Sequence, residues 1–200
     1  MKLPIYQIDA FNSEVFRGNP AAVCPLRDWL PDNILQSIAA ENNLSETAFY
    51  IPSKQEMEFE IRWFTPVSEV DLCGHATLAT AYVIFNEFKY SRDTIVFNSH
   101  SGKLSASKND CGAITLYFPT YAVKPCDITE PHIEALGAEP IELYEHRNLV
   151  AVFASESDVA DLPPNISLLK KIHSEGVIVT APGDQVDFVS RYFAPNFGID

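Results

Sequence analysis

The chain has 200 residues, enough for one large domain or two small ones, and 46% of them are hydrophobic, so it can bury a sizeable core. A formal net charge of −13 argues against nucleic acid and anionic membranes as partners, because phosphate binding needs clustered Lys and Arg. No apolar run approaches the roughly 18 residues of a membrane span, and Met1-Lys2-Leu3-Pro4 lacks a signal-peptide pattern, so a soluble, cytoplasmic protein is expected.

In chain order, Leu3 to Phe11 alternates as a first strand. Arg17-Gly18-Asn19-Pro20 is a turn, and Ala21 to Cys24 a short buried strand after it. Pro31 suits the first turn of a helix whose apolar face is Ile34, Leu35, Ile38 and Ala39, running out at Asn42-Asn43. Leu44-Ser45-Glu46-Thr47 is a polar turn entering the apolar strand Ala48 to Ile51. Glu58 to Phe64 alternates, with Phe59, Ile61 and Trp63 on one face.

Arg62-Trp63-Phe64-Thr65-Pro66 reads as a strand ending in an X-Pro turn, and Cys73-Gly74-His75 as a loop opening a helix. That helix, from His75 to about Phe88, is apolar almost all round and is therefore expected to be buried. Its first amides emerge beside Gly74, where no side chain blocks approach, and such an end attracts anions. Strands follow at Thr94–Phe97, Lys103–Ser107 and Ala113–Phe118, with a hairpin turn at Asn109-Asp110-Cys111-Gly112.

Pro119 to Pro125 reads as a linker, dividing the chain into residues 1–118 and 119–200. In the second part Thr129 caps a short helix ending near Gly137, and Ile166–His173 is a second helix. Strands are expected at Ile141–Tyr144, Asn148–Phe153, Gly176–Ala181 and Val186–Ala194.

The chain also repeats itself at a constant offset of 129 residues. Phe59, Arg62, Phe64, Pro66 and Asp71 match Phe188, Arg191, Phe193, Pro195 and Asp200, with Val70 against Ile199. Asn19, Ala22, Val23, Ser45 and Glu46 match Asn148, Ala151, Val152, Ser174 and Glu175 in the same ungapped register. The expectation is an α+β fold of two similar halves, each a curved sheet around a helix, with a cleft between them. Because the chain stops at Asp200, the counterpart of Asp71, the second loop and helix are expected beyond it, in a longer parent protein.

Few residues stand out for chemistry. Glu46, between a polar turn and a buried strand, could be desolvated and serve as a general acid/base; it reads equally as a solvated turn glutamate or capping partner. His75 could donate to a substrate anion or simply cap its helix. Cys73 sits where a helix N-terminus could lower its pKa. Asn19 could orient a substrate or serve only the turn, and Glu175 inherits Glu46's position by the repeat. No C-x-x-C joins Cys24, Cys73, Cys111 and Cys126, so neither a disulfide framework nor a metal site is expected. His100, His132, His146 and His173 show no ligand spacing, and no phosphate-binding glycine loop is present.

Three runs together, Phe16-Arg17-Gly18-Asn19-Pro20-Ala21-Ala22-Val23, Asn43-Leu44-Ser45-Glu46-Thr47-Ala48-Phe49, and Arg62-Trp63-Phe64-Thr65-Pro66 through Cys73-Gly74-His75-Ala76-Thr77-Leu78-Ala79, resemble the PhzF family of phenazine-biosynthesis-like isomerases. The resemblance implies a diaminopimelate-epimerase-like fold, two pseudo-symmetric domains with a curved sheet around a central helix, the second one incomplete here. It implies a homodimer acting on a small carboxylate-bearing metabolite, with Glu46 as catalytic carboxylate, Asn19, Gly74 and His75 at the substrate, and no metal or organic cofactor. Two other readings stay open: an epimerase or racemase using Cys73 as a thiolate base, and a non-catalytic interaction protein on the same fold.

Overall fold

A computed structural model describes residues 2–14, 16–55 and 57–197. Two compact units divide the chain, Met1–Pro119 and Thr120–Asp200. Among the described residues no helix is long and apolar enough to cross a membrane.

In the first unit the strands are β1 (Tyr6–Ala10), β2 (Asn19–Pro25), β3 (Glu46–Pro52), β4 (Glu58–Phe64), β5 (Glu69–Val70), β6 (Thr94–Ser99), β7 (Gly102–Lys108) and β8 (Ile114–Tyr117). They form one sheet in the order β1-β2-β3-β4-β6-β7-β8, with β5 paired to β4. The β2–β3 and β4–β6 pairs are parallel, which forces crossovers. Helix α1 (Asp32–Asn42) makes the first and helix α2 (Gly74–Asn86) the second. Asn43 ends α1 in the left-handed region (φ +51°), where asparagine is among the few residues that fit, and the chain turns at once into Glu46.

Helix α2 packs against β1, β2, β3, β7 and β8, so the sheet curls around it. Its residues Ala76, Ala79, Ala81, Val83 and Ile84 are buried together with Ala21, Ala48, Ile61, Trp63, Ile95, Phe97 and Ala106. Alanine on both sides of the contact lets helix and strands approach closely. The all-round apolar character that marked this helix in the sequence is thus satisfied, although Tyr82 and the following Phe88 remain partly exposed. Helix α1 lies on the outer face over a second cluster of Cys24, Leu35, Ala39, Phe49 and Phe64.

The second unit has β9 (Lys124–Pro125), β10 (Glu142–Glu145), β11 (Leu149–Val152), β12 (Val177–Pro182) and β13 (Phe188–Phe193), in the order β13-β12-β11-β10-β9. Helices α3 (Glu130–Leu136), α4 (Glu156–Ala160) and α5 (Ile166–Leu169) accompany it. Leu136, Val159, Leu162 and Leu169 pack with Leu143, Ala151, Val179 and Phe193 into its core. The helix expected over 166–173 is only four residues long, because the chain leaves it through tight turns at Leu168–Ser174. β5, β9 and α4 were not expected; the first two have two residues each, too short for any periodicity.

Both units run strand, helix, parallel strand, antiparallel strand, as the repeat predicts. The ungapped register does not hold. Thr47 faces Phe64 on β4, whereas Phe193, the counterpart of Phe64, faces Val177. Against β13 the shift is one residue and Gly176 stands where Glu46 does; against β11 it is three, since Ala22 faces Thr47 whereas its counterpart Ala151 faces Val179, and on neither count does Glu175 take that place. Asp200 and Ile199 lie outside the described residues.

Candidate active site

The loop from β4 to α2 is tied down before it delivers any functional group. Thr65 Oγ1 accepts the amides of Val67 and Ser68, and the Thr65 amide donates to the Ser68 carbonyl. Arg62 then grips both oxygens of Glu69 in β5, through Nε at 2.7 Å and Nη2 at 2.6 Å. Its guanidinium also lies over the rings of Trp29 and Phe64. Hydrogen bonding to Glu69 raises the Arg62 pKa further above its already high value.

Past this clamp, Cys73 is extended (φ −145°) and α2 begins at Gly74 with no side-chain cap. Of the leading amides of α2, those of His75 and Ala76 face the Cys73 sulfur, and the helix dipole adds partial positive charge there. Among the described residues beyond its own helix, a Cβ built on Gly74 would meet Phe118 Cζ alone, at 4.0 Å. Glycine is thus not forced here by its neighbours, and its lack of a side chain leaves the helix end open.

Glu46 reaches the same place from the other side. It opens β3 beside Ala21 of the parallel strand β2, and both it and His75 are buried, with side chains 10% and 9% exposed. Glu46 Oε2 lies 3.1 Å from His75 Nε2. Neither atom has a hydrogen-bond partner of acceptable direction among the described residues: they are close but out of line. A buried polar atom left unpaired costs about 1–3 kcal/mol, so the pair as it stands does not add to stability.

On the far side of the imidazole, Cys73 Sγ lies 3.5 Å from Nδ1. Burial pushes the Cys73 thiol well above its ordinary range, and the Glu46 charge adds to this. The amides of Ala76 and His75 oppose these effects but are the smaller influence. A thiol in this setting keeps its proton, which weighs against Cys73 as a thiolate base.

Donor atoms of Glu46, Cys73 and His75 all lie within 4.8 Å of one another. In the present arrangement the ring turns Nδ1 toward the sulfur and Nε2 toward the carboxylate.

Asn19 is half-buried two residues before Ala21, and its Oδ1 accepts from Ser45 Oγ at 3.4 Å. It stands at the same end of the sheet as Glu46, one residue removed through Ser45. Gly18 ahead of it is required: its φ is +84°, and a Cβ would fall 2.3 Å from the Ala10 carbonyl oxygen. Glu175 is exposed and paired with Arg147 at 2.9 Å, so it is a surface group. His132 accepts from the Thr129 amide at the start of α3, and His100, His146 and His173 are exposed. The Cys73–His75 contact was not foreseen, although the i, i+2 spacing across a helix start was its available sign.

An α+β chain with a sheet curled around a buried helix, and an unpaired carboxylate and imidazole at that helix's N-terminus, has the diaminopimelate-epimerase-like fold. A solved predicted epimerase from Pseudomonas aeruginosa shares this fold at TM-score 0.66 and 16% identity, over 89% of this chain and 70% of that one. The phenazine biosynthesis-like protein model matches residues 8–200, and the chain belongs to that family, the PhzF family. An uncharacterized isomerase of Pseudomonas aeruginosa is 44% identical over 200 residues, covering 100% of this chain and 76% of the relative. The crystal structure of a PhzF-family phenazine biosynthesis protein from Enterococcus faecalis superposes with TM-score 0.88 at 46% identity, over 100% of this chain and 76% of that one. Fold and relatives together support an isomerase function.

Proposed function

We propose that the protein is an isomerase that relocates a proton on a small carboxylate-bearing metabolite, using Glu46 as the general acid/base and recruiting no cofactor. The observation carrying this reading is the 3.1 Å approach of Glu46 Oε2 to His75 Nε2, two buried polar atoms without aligned partners at the head of α2. Removing a proton beside a carboxylate or an extended π system leaves an enolate-like anion. The imidazole and the leading amides of α2 would donate to that anion, while Glu46 carries the proton from one carbon to another. Gly74 keeps the approach open, and Asn19, through Ser45, steadies the rim.

Deuterium exchange tests this whichever acid is the substrate. A panel of small carboxylic acids, cyclic and acyclic, is incubated with the protein in D2O, and carbon-bound deuterium is followed by NMR. Wild type should label at least one acid and Glu46→Gln should not. Labelling that persists in Glu46→Gln would remove Glu46 from the chemistry.

A further inference from the structure

The mechanism above leaves Cys73 without a task, although it is buried against the imidazole it would influence. Its Sγ faces Nδ1 of His75 at 3.5 Å, and the opposite ring nitrogen faces Glu46 at 3.1 Å. Each ring nitrogen thus lies against one group, in line at Nδ1 and close but out of line at Nε2, and the chemistry of those groups decides where the ring proton sits. A carboxylate only accepts, so it calls for a proton on Nε2. A thiol that keeps its proton donates, so it calls for a bare Nδ1.

We propose that Cys73 is a positioning residue: its S–H donates to Nδ1 of His75 and holds the ring proton on Nε2, at the edge shared with Glu46. The alternative arrangement, a thiolate beside a protonated ring, would place a second negative charge next to Glu46 in a buried site. Desolvation and the Glu46 charge both oppose it, and both hold the thiol proton in place. The sulfur is well placed for the purpose. Cys73 is 7% exposed within the cluster of Ala76, Ala79 and Trp63, so water does not compete for Nδ1. Because Cys73 immediately precedes α2, with His75 in the helix's first turn, the contact is set by local backbone and not by a mobile loop. The tautomer rests on the two contacts and on the buried thiol keeping its proton; its catalytic purpose rests on the Glu46 reading above.

Long-range 1H–15N correlation spectra of the 15N-labelled full chain at pH 7 test the proposal, with the His75 signals assigned by their loss in His75→Gln. Wild type should show a protonated Nε2 and an unprotonated Nδ1. Cys73→Ala should place a proton on Nδ1 in a measurable fraction of molecules, and Cys73→Ser, whose hydroxyl can also donate, should restore the wild-type pattern. In the deuterium-exchange assay Cys73→Ala should slow labelling about tenfold, the worth of one hydrogen bond, and Cys73→Ser should recover it. A protonated Nδ1 in wild type, or a Cys73→Ala spectrum identical to wild type, overturns the proposal. The wild-type spectrum decides even if Cys73→Ala does not fold. Should the tautomer be as stated while Glu46→Gln still labels substrate, the functional reading falls and this one stands; the reverse pair of results separates them the other way.

Discussion

Arg62 holds Glu69 by a two-point fork, and that fork ties down the loop that leads to Cys73 and to Gly74 and His75 at the start of α2. A third contact, from Nη1 to Asp32 at 2.9 Å, ties the same guanidinium to the first turn of α1. Lysine cannot reproduce a planar fork stacked between two rings. Arg62→Lys is therefore expected to lower stability by about 1–3 kcal/mol, measured by urea denaturation, since it leaves a half-buried Glu69 short of donors. Unchanged stability would make the fork decorative.

Glu46→Gln separates function from fold. The substitution keeps the shape and removes the charge, so proton transfer should fall by about 10²–10⁴ in the deuterium-exchange assay while the midpoint of thermal unfolding holds or rises. A large drop in the midpoint would mean that Glu46 is structural.

Helix α2 is seated by small residues. Ala79 is fully buried, in a cluster that also holds Ala21 and Ala48 of the curled sheet. Ala79→Leu adds three carbons where no space exists, and should cost about 1–3 kcal/mol by urea denaturation. The site should suffer with it, because a displaced α2 moves His75 away from Glu46.

Much of this was legible in sequence because local chemistry dictated it. The uniformly apolar run after Gly74 could only be a buried helix, Asn43 marked the end of α1, and the alternation of Glu58 to Phe64 gave β4. Glu46 and His75 each carried a sign, one as an acid between turn and core, the other as a histidine at a helix start. Their 3.1 Å approach was not readable, since it depends on β3 and α2 meeting across 29 residues of chain. The repeat likewise carries strand identity further than side-chain role. Arg62 and Arg191 match in sequence and both lie over the phenylalanine two residues on, yet Arg191 donates to the carbonyls of Val159 and Leu162 instead of gripping a carboxylate. Identity along the chain fixed the strand, and the neighbours supplied by the rest of the chain fixed the role.

Glu175 provides the direct comparison. It matches Glu46 in the ungapped repeat but sits out of that register in the sheet, exposed, with Arg147 as partner. Glu175→Gln should leave deuterium exchange at the wild-type rate and change stability by less than about 1 kcal/mol, as for exposed ion pairs generally. A loss of exchange as large as that of Glu46→Gln would restore the ungapped correspondence and refute the register-based one.

Two buried thiols make stability fall at alkaline pH. Burial raises the Cys24 pKa from 9.0 to about 12, and raises Cys73 as well. In the unfolded chain both return to their ordinary value, so above pH 9.0 the unfolded state sheds thiol protons that the folded state retains. The unfolded state then binds fewer protons, and unfolding becomes easier with each step in pH. Stability contributed by Cys24 is fully present below pH 9.0 and is lost as pH rises toward about 12, at no more than about 1.4 kcal/mol per pH unit for each thiol. Urea midpoints measured between about pH 8 and pH 10.5 should decline accordingly. Cys24→Ala, which removes one of these groups, should flatten the decline by about one proton's worth. The exposed Cys111 should react with iodoacetamide at about pH 8 long before Cys24 or Cys73 does, as read by peptide mass spectrometry. Prompt alkylation of Cys73 in the folded protein would show that its thiol is ionised after all, and would revive the thiolate base.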